Sequence, residues 1–505
     1  MFVRKKKNKS GVISIQIIDK SSGKYKVVKT IGSSGNVAEI EQLYQKALFE
    51  ISKLTGQSQI NFDIEKEEAL IKMFFDGIEE LQLVGPELVL GKLFNEIGFD
   101  AIKDELFRHL VITRLVYPVS KLKTIDYLYK YKNIIIEKDK IYRYLDKLND
   151  KYKKQLQQIS YHHTLSILNN NISVVFYDVT TLYFEIEDED DLRRTGFSKE
   201  GKHQQPQIVL GLLVSIDGYP LAYEIFDGKK FEGHTMLPVI EAFKKDFSLQ
   251  QLVIIADAGL LSNDNIRELQ RKGYEYILGA RIKNESSEIQ KQILSLTLQN
   301  GESASIQKDD CTKIIITYST SRAGKDEANR KRRLQKLERA VSSGKLNKSN
   351  INNRGYNKYL KIEGEINIKI DYAKYKADAC WDGLKGYITN TKLSNNEIIE
   401  SYRHLWNIEK AFRISKTDLK VRPIYHRLQS RIEAHLCIAF CAYKVYKELE
   451  RQLKIKKAEM SEEKTIEILK TIYSLTIRTP YSRTLQTRRI IKKPEQQFVL
   501  KIFEV

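Results

Sequence analysis

Between residues 172 and 280 the chain leaves a long stretch of helical periodicity for short apolar runs separated by amphipathic segments. ISVVFYD, QPQIVLGLLVSI and PLAYEIF read as three successive strands, MLPVIEAFKKDF as a helix, LVIIAD as a strand, NDNIRELQRKG as a helix and YEYILGA as a further strand. The Gly218-Tyr219-Pro220 turn makes the second and third strands an antiparallel pair. This order demands a mixed sheet.

Two of the runs end in an aspartate: Asp178 closes VVFYD and Asp257 closes LVIIAD. A third acid, Glu409, lies in the helical stretch YRHLWNIEKAFRISK. A carboxylate at the end of a buried strand stands at the rim of a sheet, where oxygen ligands can share hard cations such as Mg²⁺. Transfer at a phosphodiester needs an in-line oxygen nucleophile, a stabilised leaving oxygen and neutralised charge. Two Mg²⁺ ions roughly 3.5–4 Å apart supply all three. Asp178 is placed to bridge both ions, with Asp257 and Glu409 each completing one site and Mn²⁺ as a possible substitute. Taken singly, each acid is a strand-end turn former or a solvated helix acid; in this element order, the three together suit metal-dependent phosphodiester chemistry.

Ser394-x-x-Glu397 is a capping box, so Ser394 should start the long helix that carries Glu409, and Pro423 marks its end at the latest. On that helix Tyr402, Leu405, Glu409, Phe412 and Lys416 share one face at 3.6 residues per turn. Lys416 can reach a scissile or flanking phosphate as a point charge. Arg413, four residues after Glu409, is either a DNA contact or a surface ion-pair partner. Trp406 is either a core anchor or a platform for base stacking. A further helix over about 428–455 places Ile432, Leu436, Ala439, Phe440, Tyr443 and Tyr446 on one side.

With 505 residues the chain exceeds what one core holds, and 85 Lys plus Arg against 65 Asp plus Glu give a formal charge of +20 that favours a polyanion. Six segments are expected: a β-hairpin module (1–36), an all-helical DNA-binding domain (37–168), the first part of the mixed-sheet core (169–280), a β-rich insertion with a basic helix (281–390), the remaining core with the glutamate-bearing helix and its successor (391–455), and a basic tail (456–505). The early basic cluster Arg4, Lys5, Lys6, Lys7 and Lys9 reads as a frayed, solvated end. Arg114, Lys121, Lys123, Lys140 and Arg143 lie among the N-terminal helices, either as phosphate contacts or as ordinary solvated faces. Arg330, Lys331, Arg332 and Arg333 form the densest basic cluster and are expected to meet a DNA backbone. Four cysteines without C-x-x-C spacing argue against a disulfide framework, and no run approaches the length of a membrane span. The expected place is the reducing cytoplasm, in association with the nucleoid.

The segment YRHLWNIEKAFRISKTDLKVRPIYH resembles the Y-x2-R-x3-E-x6-K signature of DDE transposases of bacterial insertion sequences, in the insertion-sequence-four-like family. Tyr402, Glu409 and Lys416 match it, while Leu405 stands at the arginine position and Arg403 two residues earlier. LWNIEKAFR followed by RPIYH is closer to the longer-chain subgroup. YDVTTLYFE at 177–185 and ADAGLLS at 256–262 are similar to the family's two aspartate motifs, and GHTMLP at 233–238 to a third recurrent segment.

The resemblance implies a ribonuclease H-like core and cut-and-paste movement of a DNA element. It implies metal-dependent cleavage at terminal inverted repeats, transfer of the 3′ ends into double-stranded target DNA, and a homodimer that pairs the two ends. It also implies a flipped base held by aromatic side chains, for which Trp406 and Tyr402 are candidates. A nuclease or resolvase that cuts without strand transfer, and a non-catalytic DNA-binding regulator, are the alternatives.

Overall fold

The computed structural model describes all residues except 56–61, 187, 197–203, 231–233, 248–251, 261, 344–345, 347–356, 364–366 and 480–481. The chain opens with β1 (Phe2–Lys7), β2 (Ile13–Asp19), β3 (Lys26–Ser34), α1 (Val37–Thr55), α2 (Phe62–Asp76) and β4 (Ile78–Leu83). Four helices follow: α3 (Gly85–Ile97), α4 (Glu105–Val116), α5 (Lys121–Lys132) and α6 (Lys138–Ile167). Next come β5 (Val174–Tyr183), β6 (Gln207–Ser215), β7 (Pro220–Asp227), α7 (Met236–Phe247), β8 (Val253–Ala256), α8 (Asn263–Arg271) and β9 (Glu275–Ala280). The following stretch holds α9 (Ser287–Ser295), β10 (Ser303–Gln307), β11 (Lys313–Tyr318), α10 (Thr320–Ser342), β12 (Leu360–Glu363), β13 (Asn367–Ile370), α11 (Tyr372–Ala377) and β14 (Leu384–Thr389). The chain ends with α12 (Asn395–Arg403), α13 (Trp406–Thr417), α14 (Gln429–Ile455), α15 (Glu462–Leu469), β15 (Tyr473–Arg478), β16 (Leu485–Ile490) and α16 (Pro494–Phe503).

Met1–Leu81 with Ser474–Arg488 form one compact unit, and Gln82–Tyr473 with Arg489–Val505 the other. In the first, β1, β2 and β3 make an antiparallel sheet against which α1 buries Ile40 and Ala47 on Ile15 and Ile17. The basic N-terminus is therefore not frayed. It is a strand paired from Phe2↔Ile18 to Lys7↔Ile13, and Arg4 is tied down by a 2.8 Å bond from Nη2 to Gln16 Oε1. The expected hairpin is a three-stranded sheet because β2, with Ile15, Ile17 and Ile18 fully buried, needs pairing on both edges. The 456–505 segment, read as a tail, carries two strands and two helices; β15 and β16 join β4 in a second small sheet.

The larger unit is built on an eight-stranded mixed sheet in the order β10-β11-β14-β9-β8-β5-β6-β7. β5, β8 and β9 run parallel and the other pairings are antiparallel. Strand alternation sends Val175, Tyr177 and Val179 to one face, packed with Val239, Ile240 and Phe243 of α7 and Leu269 of α8. Phe176 and Leu182 go to the other, with Ile408 and Phe412 of α13 and most of α14. The strands expected inside the insertion are largely not a separate sheet: β10, β11 and β14 extend the main one, and among the described residues β12 pairs only with β13.

Two helical expectations change. The helix capped by Ser394 stops at Arg403, and Glu409 rides on a second helix. At the break the amides of Leu405, Asn407 and Ile408 reach back three residues rather than four, to Tyr402, His404 and Leu405. Asn407 is held there by a 2.6 Å bond from Nδ2 to the Ile216 carbonyl. α14 is buried all round rather than on one side, including Lys444, Lys447, Glu448 and Glu450, because it runs through the middle of the α-helical layer. Lys444 Nζ donates to the Ser160 carbonyl at 3.0 Å and to Thr164 Oγ1. Among the described residues, no helix is long and apolar enough to cross a membrane.

Candidate active site

β5 pairs with β8 in parallel from Val174↔Val253 to Tyr177↔Ala256, and the ladder stops there. The next residue on each strand is an acid, Asp178 and Asp257, so the two stand level at the end of one ladder. β5 itself continues to Tyr183, paired only with β6, which puts Asp178 in mid-strand, opposite Leu212. By the pleat Asp178 follows Phe176 and Leu182 toward the face covered by α13. It is half-buried, and its Oδ1 accepts the Val179 amide at 2.8 Å.

Asp257 is exposed and begins a tight turn in which the Leu260 amide donates to its carbonyl at 3.1 Å. Its Oδ1 accepts the Tyr402 hydroxyl at 3.3 Å. Tyr402 is 6% exposed, with its ring 4.8 Å from that of Tyr387. Burial, then the negative charge of Asp257, pushes the Tyr402 hydroxyl far above the ordinary tyrosine range, so it acts as a donor throughout. Room for this contact comes from Gly279 of β9, where a Cβ would lie 2.5 Å from the Tyr402 hydroxyl and 3.0 Å from the Ala258 amide nitrogen.

Glu409 occupies the first turn of α13, where the helix dipole favours an anion, and is exposed. It shares a neighbour with Asp257. The Lys385 ammonium on β14 lies 4.6 Å from the Tyr402 ring centroid. Burial and then Arg322 lower the Lys385 pKa, while Asp257 and Glu409 act against them. Among the described residues, no three His, Cys, Asp or Glu side chains stand close enough together to hold a metal ion. Oxygen donors of the right chemistry are present on Asp178, Asp257 and Glu409, and their carboxylates are not gathered into one cluster in this arrangement.

The other expected residues divide. Trp406 is 53% exposed, which removes the core-anchor reading, and Lys410 sits 6.0 Å from its ring centroid. Tyr402 presents its hydroxyl to Asp257 rather than an open ring face. Arg413 is exposed. Lys416 is half-buried and lines a small apolar cavity with Thr180, Leu182 and Phe412. Arg330 is turned inward, paired with Asp382 and 5.0 Å from the Tyr375 ring centroid, whereas Arg332 and Arg333 are exposed. Leu405 is buried at the helix break, and Arg403 pairs with Glu400 at 3.0 Å. Lys385 and Gly279 escaped the sequence reading: each looks like an ordinary strand residue, and only the pairing of β9 with β14 brings them beside Tyr402 and Asp257. Gly233 and Leu261, at the edges of two motifs, lie outside the described residues.

No curated protein matches the chain. A solved structure of a piggyBac transposase synaptic complex with hairpin DNA is similar over 76% of this chain and 76% of that chain, with 9% sequence identity and a TM-score of 0.38. A family model described as a transposase DDE domain matches residues 169–444, which is more than half of the chain. That interval begins just before β5 and ends within α14, so it takes in the whole main sheet, both aspartates and the glutamate-bearing helix. On this match the chain belongs to the transposases with a DDE domain.

Proposed function

We propose that the protein cleaves DNA at the terminal inverted repeats of an insertion element and joins the freed 3′ ends to target DNA. Asp178, Asp257 and Glu409 are its catalytic carboxylates. The observation that carries this reading is the level placement of Asp178 and Asp257 at the end of one parallel ladder, on the sheet face covered by the helix that bears Glu409. Two Mg²⁺ ions, or Mn²⁺ in their place, held by these carboxylates would neutralise the phosphodiester and activate its attacking oxygen.

The chain's own residues set up the rest. Tyr402 orients Asp257 through its hydroxyl. Lys385 offsets the negative charge of Asp257 and Glu409 before any ion arrives. Trp406, exposed at the start of the same helix as Glu409, offers a ring on which an unpaired base can stack. Arg332 and Arg333, exposed on α10, supply backbone neutralisation, and Arg413 and Lys416 lie on α13 itself. Two DNA ends must be joined in one event, so the working form is a homodimer with its DNA.

The test uses the full chain, duplex DNA carrying the element's terminal repeats, and Mg²⁺. Metal-dependent cutting and joining that vanish in Asp178→Asn, with DNA binding retained, support the reading. Cutting without joining would make the protein a nuclease or resolvase. Binding with no metal-dependent cutting would make it a regulator.

A further inference from the structure

A second constellation lies outside the three-acid site, between the α4–α5 turn and the chain that follows α13. A cavity of about 540 Å³ is lined there by Arg114, Lys121, Lys123, Lys420, Arg422 and His426, together with His435. Its volume falls in the range of small-molecule sites, roughly 300–1,000 Å³. Among the described residues, no carboxylate lines it. The acid that acts on His426, Asp146, is already held by Arg431 through bonds of 2.6 and 2.9 Å.

Burial disfavours the charged form of both buried cations at this cavity, holding Lys121 well below the ordinary lysine range and Arg114 at about 10. Lys121 is 3% exposed, and its Nζ has no hydrogen-bond or ion-pair partner among the described residues. Arg114 is 5% exposed and donates to the Leu419 carbonyl and to His435 Nδ1, both at 3.4 Å. His435 Nε2 donates to the Val421 carbonyl at 2.9 Å, which leaves Nδ1 as the acceptor for Arg114 and the imidazole neutral. Lys121 is also the first residue of the twelve-residue helix α5, whose N-terminal amides add positive potential. A buried ammonium without a counter-charge is costly, and folding alone gives no reason to keep one beside a buried guanidinium. An anion entering the cavity would remove that cost.

We propose that this cavity is a phosphate-binding site, with buried Lys121 and Arg114 and exposed Lys123 and Lys420 as its donors. The phosphate comes from a DNA strand or from a free phosphate compound. A strand is favoured by Tyr425, which lines the cavity, is 70% exposed and is free to stack on a base. Identification of the strand as DNA rests on the function proposed above; the cavity chemistry does not.

The test compares wild type, Lys121→Met and Lys123→Gln as full chains in two assays. One measures anisotropy of a labelled random-sequence duplex over a series of salt concentrations. The other measures thermal unfolding with and without inorganic pyrophosphate. A DNA source predicts about tenfold weaker binding in each variant and a log–log salt slope shallower by about 0.9 per lost contact. It also predicts that Lys121→Met melts no lower than wild type. A free-phosphate source predicts that pyrophosphate raises the melting temperature of wild type and fails to do so for Lys121→Met. Either pattern supports the site. Wild-type salt slope and wild-type pyrophosphate response in both variants would overturn it, and Lys123→Gln alone decides if Lys121→Met does not fold. Pyrophosphate protection in a protein that binds no DNA would leave the site standing and bring down the transposase reading.

Discussion

The Tyr402 hydroxyl donates to Oδ1 of Asp257 at 3.3 Å, across 145 positions of sequence. It joins the helix before Glu409 to the strand end that carries the second aspartate, and Gly279 leaves the room for that bond.

Tyr402→Phe removes the donor and keeps the ring against Tyr387. A hydrogen bond to a charged group contributes about 1.5–3 kcal/mol, and the exposure of Asp257 places the effect at the low end. DNA cleavage should fall roughly tenfold in a single-turnover assay, with DNA affinity unchanged. Cleavage at the wild-type rate would show that Asp257 needs no such support.

Gly279→Ala puts a methyl group where the Tyr402 hydroxyl and the Ala258 amide nitrogen already stand. Overpacking of this kind costs about 1–3 kcal/mol. Chemical denaturation should register that loss, and cleavage should drop at least as far as in Tyr402→Phe because the tyrosine is displaced. In the double variant with Tyr402→Phe the stability cost should shrink, since the phenyl ring lacks the atom that clashes.

Arg330 and its sequence neighbours should separate by assay. Arg330 and Asp382 are 12% and 16% exposed, so Arg330→Ala leaves a largely buried carboxylate unpaired. A loss of about 2–4 kcal/mol in stability is expected, with any DNA-binding effect secondary. Arg332→Ala and Arg333→Ala should leave the melting temperature within about 1 °C and reduce the salt slope of DNA binding by about 0.9 each. Equal behaviour of all three would contradict the inward placement of Arg330.

Acid should destabilise the protein from near pH 6.5 downward. Burial, then Lys121 and Arg114, holds His426 at about 4, and burial with Lys444 and Arg451 holds His163 at about 3. His435 is pushed well below its ordinary range by burial and Arg114. The native state therefore binds fewer protons than the unfolded chain once pH drops below about 6.5. The stability is fully present above that pH and is lost progressively as pH falls toward 4 and below. Denaturation midpoints measured from pH 7 to pH 4 should fall, and His426→Gln should flatten the upper part of that profile.

The strand and helix order of 172–280, Asp257 at a strand end and the Ser394 capping box are legible in the sequence, because each is written in residues a few positions apart; Asp178, read as a strand end, lies in mid-strand because β5 runs on beside β6. Apolar runs, helical spacing and a cap report on the local backbone alone. The break at His404–Leu405 is not legible, since Asn407 finds its partner at Ile216 and no local signal marks that contact. The same holds for Lys385 and Gly279, which enter the candidate site only when β14 pairs with β9, and for Lys121, a charged residue that sequence alone gives no reason to bury. Sequence determined which chemical groups this protein carries and in what order. Tertiary structure decided which of them meet, which are exposed and which cations are buried, because those outcomes depend on contacts between segments far apart along the chain.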